Sequence, residues 1–196
     1  DSGWREAFGA RPPSTAAASS KWAILIAADD TSGAKGDSRQ AEDLARVRRA
    51  LSDKNPNGPN VPDANFTTAA GMTMANLCEL IANAPKNCDK MYIYWTGHGF
   101  RKPPGGLVFK DHASGITPER WIQKVDSLKA KEYCIFVDAC FSGRLVKAFS
   151  DSGLTGTIGT AADSLTEALF YRDGISKGSG SVYGHALAWC MEQGKM

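Results

Sequence analysis

Two segments combine residue types that do chemistry with a placement that would expose them. In "KMYIYWTGHGF" (90–100) an apolar, strand-like run ends and delivers His98 between two glycines. In "YCIFVDACFSGRL" (133–145) a second run ends in Asp138 and releases Cys140 two residues later. A cysteine is nucleophilic as thiolate, and a nearby imidazole lowers the thiol pKa or takes its proton. If the two runs are adjacent parallel strands, His98 and Cys140 reach the same rim of the sheet. Glycine on both sides of His98 lets the backbone come close to a substrate, so the Gly99 N–H is a candidate oxyanion donor, with the Cys140 N–H as the second. A cysteine–histidine dyad with two backbone donors is an acyl-transfer site. Taken singly, a strand-end cysteine is more often a packing residue, and a histidine between glycines marks a turn. The two segments together favour chemistry. The other histidines read as surface or structural residues: His112 in the polar turn "KDHASG", and His185 inside the last helix, off its apolar stripe.

The surrounding elements alternate. "KWAILIAA" (21–28) reads as a strand buried on both faces. A helix follows from about Ser38 to Ser52, with Leu44, Val47 and Leu51 on one side. The proline-, asparagine- and glycine-rich stretch 53–65 predicts an exposed loop. A short strand near Phe66–Ala69 precedes a helix carrying Met74, Leu77, Cys78 and Ile81, ended by Pro85. After His98 the pattern predicts a small hairpin around "GLVFKD", then a helix capped by Thr117 with Pro118 at its first position. Trp121, Ile122, Val125 and Leu128 form its stripe. "YCIFVDA" (133–139) and "LTGTIGTAA" (154–162) predict two further buried strands. The closing helix, about 181–193, is expected to bury Tyr183, Ala186, Leu187 and Cys190. This order implies an α/β fold with a mostly parallel central sheet and helices on both faces. Ligands of such sheets bind beyond the carboxyl ends of the strands, where both reactive segments end.

Composition narrows the classes. The chain has 196 residues, 42% of them hydrophobic, enough for one sizeable core. Residues 1–20 read as a tail or linker, since "ARPPSTAAASS" is small and proline-bearing, and 21–196 as the domain. The first residue is Asp1, so removal of an upstream segment is expected. A net charge of +2 leaves no footprint for nucleic acid. No apolar stretch approaches the roughly 18–20 residues of a membrane span. The five cysteines contain no CxxC pair, which argues against a zinc site of that kind. Cys78 and Cys88 lie close enough along the chain to pair in an oxidising compartment.

From about Lys21 onward, "YWTGHG", "GGLVFKDHASGITPERW" and "VDACFSG" resemble the caspase-like cysteine peptidases, and most of all the legumain family of asparaginyl endopeptidases and transamidases. The short interval between His98 and Cys140 is similar to that of legumains. The resemblance implies a three-layer caspase-like fold and a thioester mechanism without metal or organic cofactor. It makes His98 the base and acid, Cys140 the nucleophile and Gly99 an oxyanion donor. Asp138 matches the acidic residue of the primary specificity pocket. Arg39, at the start of "SRQAEDLARVRRAL", corresponds to a pocket arginine, and Asp37 falls near an asparagine that orients the histidine. "TAADSLTEAL" (160–169), with Ala162 and Glu167, resembles the pocket wall. Departures from the pattern are "DACFSG" in place of a glutamate-led version, Asp37 in place of asparagine, and a loose match after "TAA".

An arginine facing an aspartate suits the amide of asparagine, so the expected activity is cleavage of peptide or protein substrates after Asn or Asp. Admission of an amine in place of water would give transpeptidation or ligation. With Arg39 elsewhere, Asp138, alone or with Asp29 or Asp30, would select Lys or Arg, as in metacaspases and gingipains. A non-catalytic caspase-like binding module is the rival of another class. Self-cleavage is expected in 172–181 or 53–65.

Overall fold

The computed structural model describes residues 20–31, 38–169 and 180–195. Five parallel strands form the sheet, in the order β2 (Phe66–Ala69), β1 (Lys21–Ala27), β3 (Lys90–Thr96), β6 (Glu132–Asp138), β7 (Gly156–Thr160). A separate antiparallel pair, β4 (Leu107–Val108) and β5 (Gly115–Ile116), is the hairpin expected after His98. Five helices are seen among the described residues: α1 (Ser38–Leu51), α2 (Met74–Asn83), α3 (Pro118–Asp126), α4 (Arg144–Ser152) and α5 (Val182–Glu192). No helix among them is long and apolar enough to cross a membrane.

The alternation of side chains along each strand builds two cores. Ile24, Ile26, Ile93, Trp95, Ile135 and Val137 face α2, α3 and α4, where Trp95 and Trp121 meet edge-on with ring centroids 5.3 Å apart. Ala23, Leu25, Tyr92, Tyr94 and Phe136 face α1 and α5. Strands apolar on both faces therefore lie between helices on both sides, as the continuous runs of the sequence require. Thr117 caps its helix as predicted, accepting the Arg120 N–H at 3.5 Å, and Thr73 caps α2 in the same way, accepting the Asn76 N–H at 3.1 Å.

Three expectations need correction. The segment 154–162 is not a buried strand; β7 is the sheet edge, and its residues are exposed or half-buried. The stripe of α5 is Gly184, Leu187, Ala188 and Met191, whereas Ala186 is exposed and Tyr183 and Cys190 are half-buried. The helix is rotated because it packs on α1 and over Tyr94. The loop 53–65 is not wholly exposed: Val61 is fully buried and bridges Ser52, and the Asn55 amide donates to Ala50 O at 2.7 Å.

Candidate active site

Strands β3 and β6 run side by side with Thr96 opposite Asp138, and the Gly97 N–H donates to Asp138 O at 3.0 Å. Two residues further on, each chain presents its reactive side chain. Their backbones touch there: a Cβ on Gly99 would fall onto the Cys140 carbonyl, 2.9 Å from its carbon and 3.5 Å from the Cys140 Cα. Glycine is required for this approach. His98 is 47% exposed and Cys140 half-buried, so both are open to a substrate. Among the described residues, neither the Gly99 N–H nor the Cys140 N–H meets a backbone acceptor. Phe141 adopts φ +55°, a left-handed conformation unusual for an aromatic residue. It turns the chain sharply after Cys140, and its N–H is anchored to Thr166 O at 2.9 Å.

Around His98 lies a group that sequence reasoning did not assemble, having named Asp29 only as a candidate pocket carboxylate. Asp29, just past the end of β1, places Oδ2 3.8 Å from His98 Nε2, and His112 Nε2 lies 2.9 Å from Asp29 Oδ1. Gln40 holds the carboxylate: its Nε2 donates to Asp29 Oδ2 at 2.6 Å, and its Oε1 accepts the Asp29 N–H at 3.2 Å. The available signal was "AADD" at the carboxyl end of a strand paired with β3. His112 read as a surface turn residue, and no local pattern told otherwise. Asp37, assigned to orient the histidine, lies outside the described residues.

A second polar cluster sits under the same rim. Asp138 is fully buried; its Oδ2 accepts from Tyr94 Oη at 2.8 Å and from Ser181 Oγ, while Oδ1 has no hydrogen-bond partner among the described residues. Asp43, on α1 and also fully buried, accepts the Ser181 N–H at 2.9 Å and pairs with Arg46 at 2.7 Å. Burial pushes the Asp138 carboxyl up to about 6, against the lowering effect of the Ser181 and Tyr94 hydrogen bonds. Burial, with the charge of Asp138 adding to it, pushes Asp43 up to about 7, against the Ser181 N–H and Arg46. The same burial and the two carboxylates raise Tyr94 well above the ordinary tyrosine range. Asp43 was not anticipated, because a carboxylate in "SRQAEDLARV" looks like any exposed helix charge.

The remaining predicted residues are placed as follows. Arg39 is exposed on the first turn of α1. Ala162 is buried beside the Cys140 loop, where its N–H donates to Ser142 Oγ at 3.4 Å, and Glu167 is exposed. All five cysteines are free thiols. Residues 1–19 and 170–179 lie outside the described residues, and with them the tail and most of the expected self-cleavage loop. No known protein family matches the chain, and neither does any curated protein.

Proposed function

We propose that the protein is a caspase-like cysteine endopeptidase acting through His98 and Cys140. The observation that carries this is the in-register ending of β3 and β6, with Gly99 seated on the Cys140 carbonyl and both reactive side chains open. His98 takes the proton of the Cys140 thiol, and the sulfur attacks the scissile carbonyl carbon. The resulting oxyanion receives the N–H groups of Gly99 and Cys140. Collapse expels the amine, which takes the proton back from His98 and leaves a thioester. Water, deprotonated by His98, attacks the thioester and releases the acid and the thiol. Asp29, fixed by Gln40 and 3.8 Å from His98 Nε2, stabilises the charged imidazolium at ion-pair distance.

The two buried carboxylates favour Arg or Lys as the residue before the cut. They meet at Ser181 under the rim, and burial raises both carboxyls, Asp43 to about 7 despite its Arg46 partner and Asp138 to about 6. Asp138 Oδ1, which has no hydrogen-bond partner among the described residues, is the oxygen left for a substrate's ammonium or guanidinium. Cleavage after Asn is the second reading, favoured by Arg39 one helical turn before Asp43. A tetrapeptide library varied at the residue before the cut, run on wild type and Cys140→Ala, tests both. Cleavage by wild type alone after Arg or Lys supports the first; cleavage after Asn supports the second; no cleavage above that of Cys140→Ala rejects the peptidase.

Gly99→Ala is expected to lower kcat/KM by about 10²-fold or more, since a displacement near 1 Å at a reacting pair is worth that much. A methyl group would push β3 and β6 apart at the rim. Steady-state kinetics with a circular-dichroism melt check this; unchanged kcat/KM would mean the rim is not the reacting site.

A further inference from the structure

We propose that Asp29, His98 and His112 form a binding site for a divalent transition-metal ion of the zinc class, and that filling it silences the cysteine chemistry. The ion site stands on geometry alone; the silencing rests on the peptidase reading. The three side chains each offer one ligand atom, and these atoms lie within 4.8 Å of one another. Tetrahedral zinc, with bonds of about 2.0–2.2 Å, needs its ligand atoms about 3.3 Å apart. His112 Nε2 lies 2.9 Å from Asp29 Oδ1 and His98 Nε2 lies 3.8 Å from Asp29 Oδ2, so the two imidazoles approach the same carboxylate, each at its own oxygen.

The rigid and mobile parts are divided as such a site requires. The Asp29 side chain is 12% exposed and clamped at both its carboxylate and its backbone N–H by Gln40, the outer-shell hydrogen bonding that orients a ligating carboxylate. The imidazoles, 47% and 57% exposed, have room to rotate from separations of up to 4.8 Å toward the ligand spacing of a bound ion. Their ring centroids are 4.9 Å apart, with the planes tilted at 51°. His112 is carried at φ +56° at the tip of the β4–β5 hairpin, and its N–H is fixed on Phe109 O at 2.9 Å. Two imidazoles and one carboxylate are a donor set that zinc accepts, with the fourth position left for water. An ion there takes the lone pair of His98 Nε2 and ties the ring to Asp29, so the imidazole is no longer free to serve Cys140.

The test uses the full chain carrying Cys140→Ala, which removes the reactive thiol and any self-cleavage. Calorimetric titration with Zn²⁺ is expected to give one ion per chain. Asp29→Asn and His112→Ala are each expected to weaken it tenfold or more, and His185→Ala to leave it unchanged. Co²⁺ is expected to give visible d–d absorption without a thiolate charge-transfer band. No saturable binding, binding that survives both Asp29→Asn and His112→Ala, or a thiolate band placing the ion on Cys78 or Cys190 would overturn the site. If His112→Ala melts early, His112→Gln takes its place, and the cobalt spectrum of the parent chain decides independently.

With Cys140 intact, Zn²⁺ is expected to inhibit peptide cleavage reversibly, relieved by EDTA, with a midpoint that Asp29→Asn raises in step with the binding constant. A chain that binds zinc as stated but cleaves nothing keeps the ion site and removes the peptidase. An active peptidase indifferent to saturating zinc removes the silencing.

Discussion

Cys140→Ala and His98→Ala are each expected to abolish peptide cleavage, with a loss of at least about 10⁴-fold in kcat and little change in stability. Under the proposed mechanism, truncating Cys140 removes the atom that would form the thioester. Truncating His98 leaves the thiol without its proton acceptor and the leaving amine without its donor. Because the two act as a unit, the double variant is expected to be about as inactive as either single one. The side chains are half-buried and exposed respectively, so neither change opens a core cavity. Thermal melts within a few degrees of wild type, alongside single-turnover assays, separate chemical loss from unfolding. Activity that survives Cys140→Ala would assign the cleavage to some other protein.

Asp138→Asn is expected to stabilise the fold at neutral pH while damaging recognition of a basic substrate residue. The carboxyl binds its proton more tightly in the folded chain than in the unfolded one, at about 6 against an ordinary 3.8. The stability tied to this proton is complete below about pH 4 and is lost as pH rises through 6. Asp43, pushed up to about 7, acts in the same direction over a slightly higher range. For Asp138 alone the shift is worth on the order of 3 kcal/mol. Asp63, Asp89, Asp111 and Asp163 work oppositely. Hydrogen bonds from Lys54, Lys131, Ser114 and the Leu165 N–H hold them below the usual range, so their effect falls below about pH 4.

Urea denaturation at several pH values is the measurement. The stability difference between Asp138→Asn and wild type is expected to grow by about 2–3 kcal/mol in favour of the variant from pH 4 to pH 8. On a cationic substrate the variant should lose about 10²–10³-fold, the scale for removing one partner of a buried charge pair. A flat difference across that range would mean the carboxylate is ionised at no cost in the folded chain.

Legibility in the sequence followed the range of the interactions. The ends of β3 and β6 were readable because a strand buried on both faces is a continuous apolar run, and a polar residue ending such a run is conspicuous. The helix start at Thr117 was readable because capping is local. His112 was not, because the carboxylate that gives it meaning lies 83 residues away. Asp43 was not, because its burial depends on Ser181, 138 residues further along. The stripe of α5 was misjudged for a related reason: alanine and cysteine fit either a buried or an exposed face, and the choice was made by the side chains of α1 and β3. The edge position of β7 follows from strand order, which no single segment encodes.

The tie between Ser181 and the two acidic side chains has a bearing on how the molecule comes into being on the ribosome. His98 and Cys140 emerge well before Gly180 and Ser181, so β3 and β6, which end beside them, are available to assemble first. The hydroxyl and amide that finish the acidic recess arrive only with the start of α5. A nascent chain at that stage carries the Cys140 thiol and the His98 imidazole before Asp43 and Asp138 have gained their shared partner; under the proposed function, the acyl-transfer pair would precede the surface that selects its target.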